Sequence, residues 1–344
     1  MKHVLVTGGA GFIGSNFARY LLRAGRGPRV TVLDKLTYAG NLENLASLRG
    51  RSGFRFVRGD ICDARLLDEL LPGIDVVYNF AAETHVDRSI LEGGSFVRTD
   101  VLGTYTILQR ALKHRVPRFV QISTDEVYGS IARGKFREGD PMRPNSPYSA
   151  SKSGGDLLVR SFFKTHGLPV VITRSSNNYG PYQHPEKFIP LFVTNAIEGK
   201  PLPIYGRGRN VRDWIYVEDN CRAIELAARA GEPGEVYNIG GGEERSNIEI
   251  ARRIVKLVGA SPELLVFVAD RPGHDWRYAL ECRKIRALGF RPRVDFEEGL
   301  ERTVRWYRRN EAWWRPIKEG RFMRYYARLY RERLRGGNAP KEHR

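Results

Sequence analysis

The stretch Val4-Leu5-Val6-Thr7-Gly8-Gly9-Ala10-Gly11-Phe12-Ile13-Gly14 decides the fold. Its first four residues read as a short strand, and its last glycine opens an apolar pattern of helical period over 14–24. A glycine turn between strand and helix lets the backbone approach a pyrophosphate, whose charge then lies against the free amides of the helix N-terminus. Gly8, Gly11 and Gly14 are the turn residues, with Phe12 and Ile13 between them. A second apolar run over 30–34 ends at Asp34, about 20 residues past Gly14, where a carboxylate reaches an adenosine ribose diol. That acid favours NAD over NADP. Lys35 beside it brings a positive charge close to the same hydroxyls.

Outward from this unit the pattern repeats. Short β-branched runs at 54–59, 76–81, 119–123 and 170–174 alternate with helix-period segments at 64–71, 100–114 and 147–166, the signature of a parallel sheet with crossover helices. After residue 174 the order loosens into Asn, Pro, Tyr and Gly, with helical stretches at 189–198, 217–230 and 248–258. The expected architecture is α/β: a Rossmann-type doubly wound parallel sheet over 1–175 and a smaller C-terminal substrate-binding lobe over 176–344, with segments crossing back to the first domain.

Bulk properties narrow the function classes. At 344 residues, 41% hydrophobic and 28% charged, the chain has the composition of a folded globular protein. The three cysteines, Cys62, Cys221 and Cys282, lie far apart without metal-ligand or redox spacing. No metal site and a cytoplasmic location are expected, since the apolar run after Lys2 and His3 is too short for a signal peptide or a membrane span. A formal charge of +18 raises the question of nucleic acid. The basic residues are spread through the chain, densest at 302–309 and 324–335, with no helix-turn-helix, zinc-finger or aromatic RNA-binding signature. A solvated arginine-rich surface, with a few guanidinium groups kept for phosphates, is the expectation.

Two further stretches carry acid–base chemistry. In Ser146-Pro147-Tyr148-Ser149-Ala150-Ser151-Lys152, Ser146 and Pro147 start a helix, and the four-residue spacing puts Tyr148 and Lys152 on one face. A lysine cation beside a phenol favours the phenolate, which suits a base for a sugar hydroxyl. At the end of the preceding strand, Thr124-Asp125-Glu126 places two adjacent carboxyls where such sheets open their crevice. The bland alternatives are an exposed Tyr and Lys pair, and two acids that cap the following turn.

With these residues in place, the chain resembles the extended short-chain dehydrogenase/reductase family, and within it the nucleotide-sugar 4,6-dehydratases. The resemblance covers nearly the whole chain. It is carried by the glycine stretch, by Asp34-Lys35-Leu36-Thr37-Tyr38-Ala39-Gly40-Asn41, Ala81-Ala82-Glu83-Thr84-His85-Val86-Asp87-Arg88-Ser89, Ser123-Thr124-Asp125-Glu126-Val127-Tyr128-Gly129, Ser176-Asn177-Asn178-Tyr179-Gly180-Pro181 and Asp270-Arg271-Pro272-Gly273-His274-Asp275. Thr124-Asp125-Glu126 discriminates best, because relatives acting on UDP-glucuronate or GDP-mannose typically have Ser at the position of Asp125 and the 4-epimerases lack the acid pair.

The resemblance implies a lyase that draws on NAD and acts on dTDP-glucose. Tyr148 would take the 4-hydroxyl proton while hydride leaves C4, with Thr124 holding the hydroxyl and Lys152 assisting. Glu126 would remove the C5 proton, Asp125 would protonate the departing C6 hydroxyl, and the hydride would return to C6. Beyond the glycine turn, NAD maps onto Asp34, Lys35, Leu36, Thr37, Asp60, Ile61, Phe80, Ala81, Ala82, Glu83, Thr84, Thr99, Tyr148, Lys152 and Asn178. The nucleotide sugar maps onto Thr84, Thr124, Asn177, Lys187, Phe188, Pro203, Ile204, Tyr205, Arg212, Asn247, Arg271, His274 and Tyr330, with Arg212 and Arg271 against the diphosphate. Read on their own, Arg212 beside Asp213 fits a surface ion pair, and His274 beside Asp275 a loop contact. A homodimer paired through 102–112 and 157–163 is also implied. The chain departs from the family pattern at Asp100, where asparagine is usual, at Gly154-Gly155, and at Ser175, where cysteine is common. The rivals are a 4-epimerase or another nucleotide-sugar dehydratase, a basic nucleic-acid-binding protein, and an NAD-sensing platform without turnover.

Overall fold

The computed structural model describes residues 1–23, 27–270, 273–319 and 326. Seven strands form one parallel sheet: β1 (His3–Thr7), β2 (Arg29–Asp34), β3 (Phe54–Arg58), β4 (Val76–Asn79), β5 (Arg118–Thr124), β6 (Val170–Ser175) and β7 (Val236–Ile239). Their spatial order is β7-β6-β5-β4-β1-β2-β3. The chain runs outward from β1 on one side and then returns to build the other side from β4. The switch therefore falls between the carboxyl ends of β1 and β4, where such sheets open a crevice.

Strands such as β1 are apolar almost without alternation because both faces are covered. On one face, Phe17, Ala18 and Leu21 of helix α1 (Phe12–Leu22) pack into a cluster with Ile224 and Ala227 of the helix Val217–Ala230. On the other, Ile107, Leu108 and Ala111 of α2 (Thr104–Lys113) meet Val159 and Phe162 of α3 (Pro147–His166). β7 and the helix Val217–Ala230 both come from the later half of the chain, and the β7 residues, only four long, were not read as a strand in the sequence.

The α2 segment starts earlier than its periodicity predicts. A short turn at Gly94–Phe96 runs into a π-helix over Val97–Gly103 before the regular helix begins. Single π turns inside helices gather at functional sites, and this one carries Asp100 at its centre.

A second apolar cluster holds the later segments together. Phe192, Trp214, Ile254, Phe296, Tyr307 and Trp314 are buried in it. The helix Phe296–Arg309 buries Phe296, Leu300, Thr303, Val304 and Tyr307 at helical spacing, and Asp295 caps it by accepting from Glu298 N at 2.8 Å. Arginines read in sequence as a basic patch over 302–309 are thus largely the solvent face of one amphipathic helix, with Arg302 paired to Glu298. Two small sheets complete this region, one ordered Glu244–Ser246, Val211–Tyr216, Asn177–Tyr179, the other pairing Leu202–Tyr205 with Leu265–Val268. Among the described residues no helix is long and apolar enough to cross a membrane.

Candidate active site

Two clefts meet over the carboxyl end of the sheet. The first encloses about 1200 Å³, its open mouth included, and lies at the switch between β1 and β4. Gly8 has φ +65°, and a Cβ there would sit 2.7 Å from the backbone of Phe80 and Ala81, so the turn after β1 closes only with glycine. A Cβ at Gly14 would strike Gly8 O at 2.4 Å. Helix α1 begins without a side-chain cap or an acid in its first turn, which leaves its N-terminal amides to an anion.

Asp34 sits at the tip of β2 and accepts from Ala10 N at 2.9 Å and Leu36 N at 2.8 Å. Burial raises its carboxyl, and those two amides pull the other way. Each oxygen keeps a lone pair for a diol. Lys35 turns to Asp60 at 2.7 Å, so its cation is already matched. The cleft therefore offers a free helix N-terminus for a diphosphate and a carboxylate for ribose, a set that fits NAD, while the carboxylate opposes an added 2′-phosphate.

Gly8, Gly11, Phe12, Ile13, Gly14, Asp34, Lys35, Thr37, Asp60, Ile61, Phe80, Ala81, Ala82, Glu83, Thr84, Thr99, Tyr148 and Lys152 all line this cleft. Leu36 and Asn178, expected there as well, do not. Leu36 has φ +60° and packs its side chain on the apolar cluster beneath, and the Asn178 amide turns to Ser176 O at 2.9 Å.

The second cleft, about 930 Å³, gathers Asn177, Lys187, Phe188, Pro203, Ile204, Tyr205, Arg212, Asn247 and His274 of the expected substrate residues. Thr84 lies in the first cleft, and Thr124 lines neither. Arg271 and Tyr330 fall outside the described residues. Arg212 is buried rather than at the surface: its guanidinium donates to Val211 O at 2.8 Å and Asp275 O at 2.9 Å and stacks over the Tyr278 ring at 4.2 Å. Asp213 points away from it and accepts from Glu243 N at 2.8 Å. His274 pairs with Asp270 at 2.6 Å, not with Asp275.

Of the reactive side chains, Tyr148 and Lys152 line the first cleft and Glu126 the second, while Thr124 and Asp125 line neither. α3 is fixed by a reciprocal cap in which Ser146 Oγ accepts from Ser149 N and Ser149 Oγ accepts from Ser146 N, each at 3.1 Å. One turn on, Lys152 is buried and donates to Ile122 O at 2.8 Å. Tyr148, one turn before it, feels burial first and then the carboxyls of Glu126, Asp100 and Asp125, which together hold its phenol well above the ordinary range. The Thr124 hydroxyl pulls the other way. The sequence expectation of a phenol lowered by its lysine neighbour is thus outweighed in the protein alone by desolvation and three acids.

β5 ends in Thr124, whose hydroxyl accepts from Glu126 N at 3.2 Å and donates to Asp125 Oδ1 at 3.1 Å. This cap separates the two acids. Asp125 is buried, its Oδ2 has no hydrogen-bond partner, and burial, with Glu126 beside it, keeps the carboxyl well above the usual carboxylate range. Burial thus favours the protonated form, and an acid with one unpartnered oxygen is suited to donate a proton. Glu126 faces the second cleft.

Several residues at the junction were not singled out in the sequence. Glu186 is buried, and although burial alone would raise it, His85, His184, Arg88 and Lys187 pull its carboxyl down to about 2. Arg88 Nε donates to it at 2.8 Å. Lys187, at the boundary of both clefts, donates to Thr84 Oγ1 at 2.8 Å. His85 (φ +85°) turns the chain so that Thr84 faces one cleft and Asp87 the other. His85, Asp87 and Arg88 stand inside a stretch that had been quoted for its resemblance, so that signal was at hand. Gln183, His184 and Glu186 lie in an irregular loop with no periodicity to mark them.

A dinucleotide cleft at the switch point, with a Tyr–Lys helix on its wall and a second cleft beside it that Glu126 faces, defines the extended class of short-chain dehydrogenase/reductase folds. The family model described as GDP-mannose 4,6 dehydratase matches residues 5–303, and the chain belongs to that family. It is 56% identical over 320 residues to the dTDP-glucose 4,6-dehydratase of Streptomyces niveus, covering 92% of this chain and 95% of that one. It is 57% identical over 304 residues to the low-salt glycan biosynthesis protein Agl12 of Haloferax volcanii, covering 88% and 98%. Among solved structures, DesIV, the dTDP-glucose 4,6-dehydratase of Streptomyces venezuelae with NAD and TYD bound, superposes with a TM-score of 0.90 at 54% identity, covering 92% of this chain and 100% of that one. A UDP-glucose 4-epimerase from Thermotoga maritima superposes at 0.84 with 30% identity, covering 90% and 99%.

Proposed function

We propose that this chain is an NAD-dependent dTDP-glucose 4,6-dehydratase, forming dTDP-4-keto-6-deoxyglucose and water. The observation that carries the reading is the pair Asp125 and Glu126 on one capped turn, one acid buried so that its protonated form is favoured, the other facing the second cleft. An epimerase needs no such pair. NAD, held by the glycine turn and Asp34, would supply a hydride acceptor at C4 and a donor at C6, and its positive ring would favour the Tyr148 phenolate.

The side chains divide the proton transfers. Tyr148 takes the proton of the 4-hydroxyl, which the Thr124 hydroxyl steadies, and Lys152, tied to β5, keeps a cation next to the developing phenolate. The ketone at C4 acidifies C5–H, so Glu126 removes that proton. Asp125 gives its proton to the C6 hydroxyl, which leaves as water. Arg212, with Arg271, holds the diphosphate through guanidinium forks, and Lys187 spans the two clefts to keep the hexose between Tyr148 and Glu126.

The reading extends to assembly. We divide the chain near residue 175, with most walls of the first cleft before that point and the second cleft drawn from both sides. Val97, Leu102, Tyr105 and Leu157 are exposed large apolar side chains on neighbouring helices, which supports a homodimer through this face. A sedimentation experiment showing only monomer would refute it. Three unpaired thiols suit a reducing cytosol. The test of function is incubation with dTDP-glucose: a 4-keto-6-deoxy product supports the reading, and an epimerised hexose overturns it.

A further inference from the structure

One buried carboxylate behind the active-site helix has no place in this scheme. Asp100, at the centre of the π-helix Val97–Gly103, is 2% exposed. Its Oδ2 accepts from Ser151 Oγ at 2.6 Å and its Oδ1 from Glu83 N at 3.2 Å. Ser151 precedes Lys152 on α3, so the acid is fastened directly behind the reactive turn of that helix.

The backbone is built for this approach. A Cβ at Gly155 would sit 2.8 Å from Asp100 O, and one at Gly154 would sit 3.0 Å from Val101 Cγ2. The glycine pair lets α3 lie against the π turn more closely than side chains would permit. Two departures from the family pattern, Asp100 and Gly154-Gly155, are therefore parts of one contact.

We propose that Asp100 is the built-in counter-charge of the Tyr148–Lys152 pair, a positioning residue that offsets the lysine cation and so sets the pH at which the tyrosine begins to work. The charged and titratable groups facing it are Lys152 and Tyr148 from α3 and Glu83 from the loop after β4. Burial raises Asp100 to about 6, against the pull of Lys152 and the Ser151 hydroxyl. Glu83 is raised further, to about 7, by burial and then by Asp100 itself. Lys152 and the Ser151 hydroxyl both favour the charged form of Asp100. An anion there opposes ionisation of Tyr148, so neutralising it moves the tyrosine's working range toward acid.

The inference rests on Tyr148 being the base, and the test separates the two. The acid limb of the kcat–pH profile is compared for wild type, Asp100→Asn and Ser151→Ala, with Asp100→Ser as a second uncharged variant should the first not fold. Removing the charge is expected to move the limb about one pH unit lower, whereas Ser151→Ala, which takes away one hydroxyl that favours the ionised carboxyl, is expected to lower kcat and move the limb by clearly less. A titration of phenolate absorbance in the NAD-loaded protein, with Tyr148→Phe as the blank, is expected to show the same shift without relying on turnover. Limbs that coincide in Asp100→Asn and wild type, or that move equally in Asp100→Asn and Ser151→Ala, overturn the proposal. Full turnover in Tyr148→Phe overturns the reading of the base instead.

Discussion

The two clefts are built on different principles. The first is made of chain ends that the sheet itself aligns: the turn after β1, the tip of β2 and the loop after β4 converge because parallel strands finish side by side. Its charges are matched before any ligand arrives, Lys35 by Asp60 and Asp34 by two amides. The second cleft is assembled from segments scattered between His85 and Tyr278, and its cations are drawn partly or wholly out of water, with Lys187 half-buried and Arg212 buried and tied to backbone carbonyls. A matched, backbone-built site suits a coenzyme that stays. A site of cations so withdrawn suits a polyanion that comes and goes, because the ligand's own charge completes the balance.

The contrast can be broken at four points. Tyr148→Phe, at the junction, is expected to lower kcat by about 10³-fold, since it removes the general base outright; steady-state kinetics with dTDP-glucose check this. Glu126→Gln is expected to cost about 10²-fold yet leave oxidation at C4 intact, so exchange of the C5 hydrogen with deuterated solvent falls while the ketone still forms. In the second cleft, Arg212→Lys keeps the charge but loses the fork, and an increase in KM of about 10-fold with little change in kcat would separate binding from chemistry.

The smallest effect falls on stability. Glu186→Gln is expected to remove about 2–4 kcal/mol at neutral pH, read by denaturant unfolding, because it leaves Arg88, Lys187 and two histidines around a neutral group. The sign of its pH dependence follows from the carboxyl's depression from 4.5 to about 2. Its contribution is present above about 4.5 and is lost as pH falls toward 2, so wild type and variant should converge in acid. A gap that widens in acid would contradict this.

The same division explains what could be read from the letters alone. Gly8 and Asp34 are legible because each stands at a strand end, and Gly14 because it lies in the first turn of the helix that follows, where the apolar period changes to 3.6. Tyr148 and Lys152 share a helix face, which spacing reports directly. Leu36 stands outside the lining of the first cleft because its backbone, at φ +60°, turns the side chain onto the apolar cluster, and no periodicity encodes that. β7 was not read as a strand, and its assignment comes only from pairing with β6. Asp100 was visible as an odd letter, but its meaning depends on Ser151, 51 residues away, and on a π turn that shifts the helical phase. Glu186 depends on Arg88, Lys187 and two histidines from two distant stretches, and only folding brings them together.

The claim on which the account stands is that a ketone made transiently at C4 drives loss of the C6 hydroxyl within one closed site. Conversion of dTDP-glucose carrying deuterium at C4, followed by mass analysis of the product, tests it most directly. The account predicts that the label reappears in the methyl group at C6 of the same molecule; a methyl group free of label, with deuterium lost to water, would contradict it.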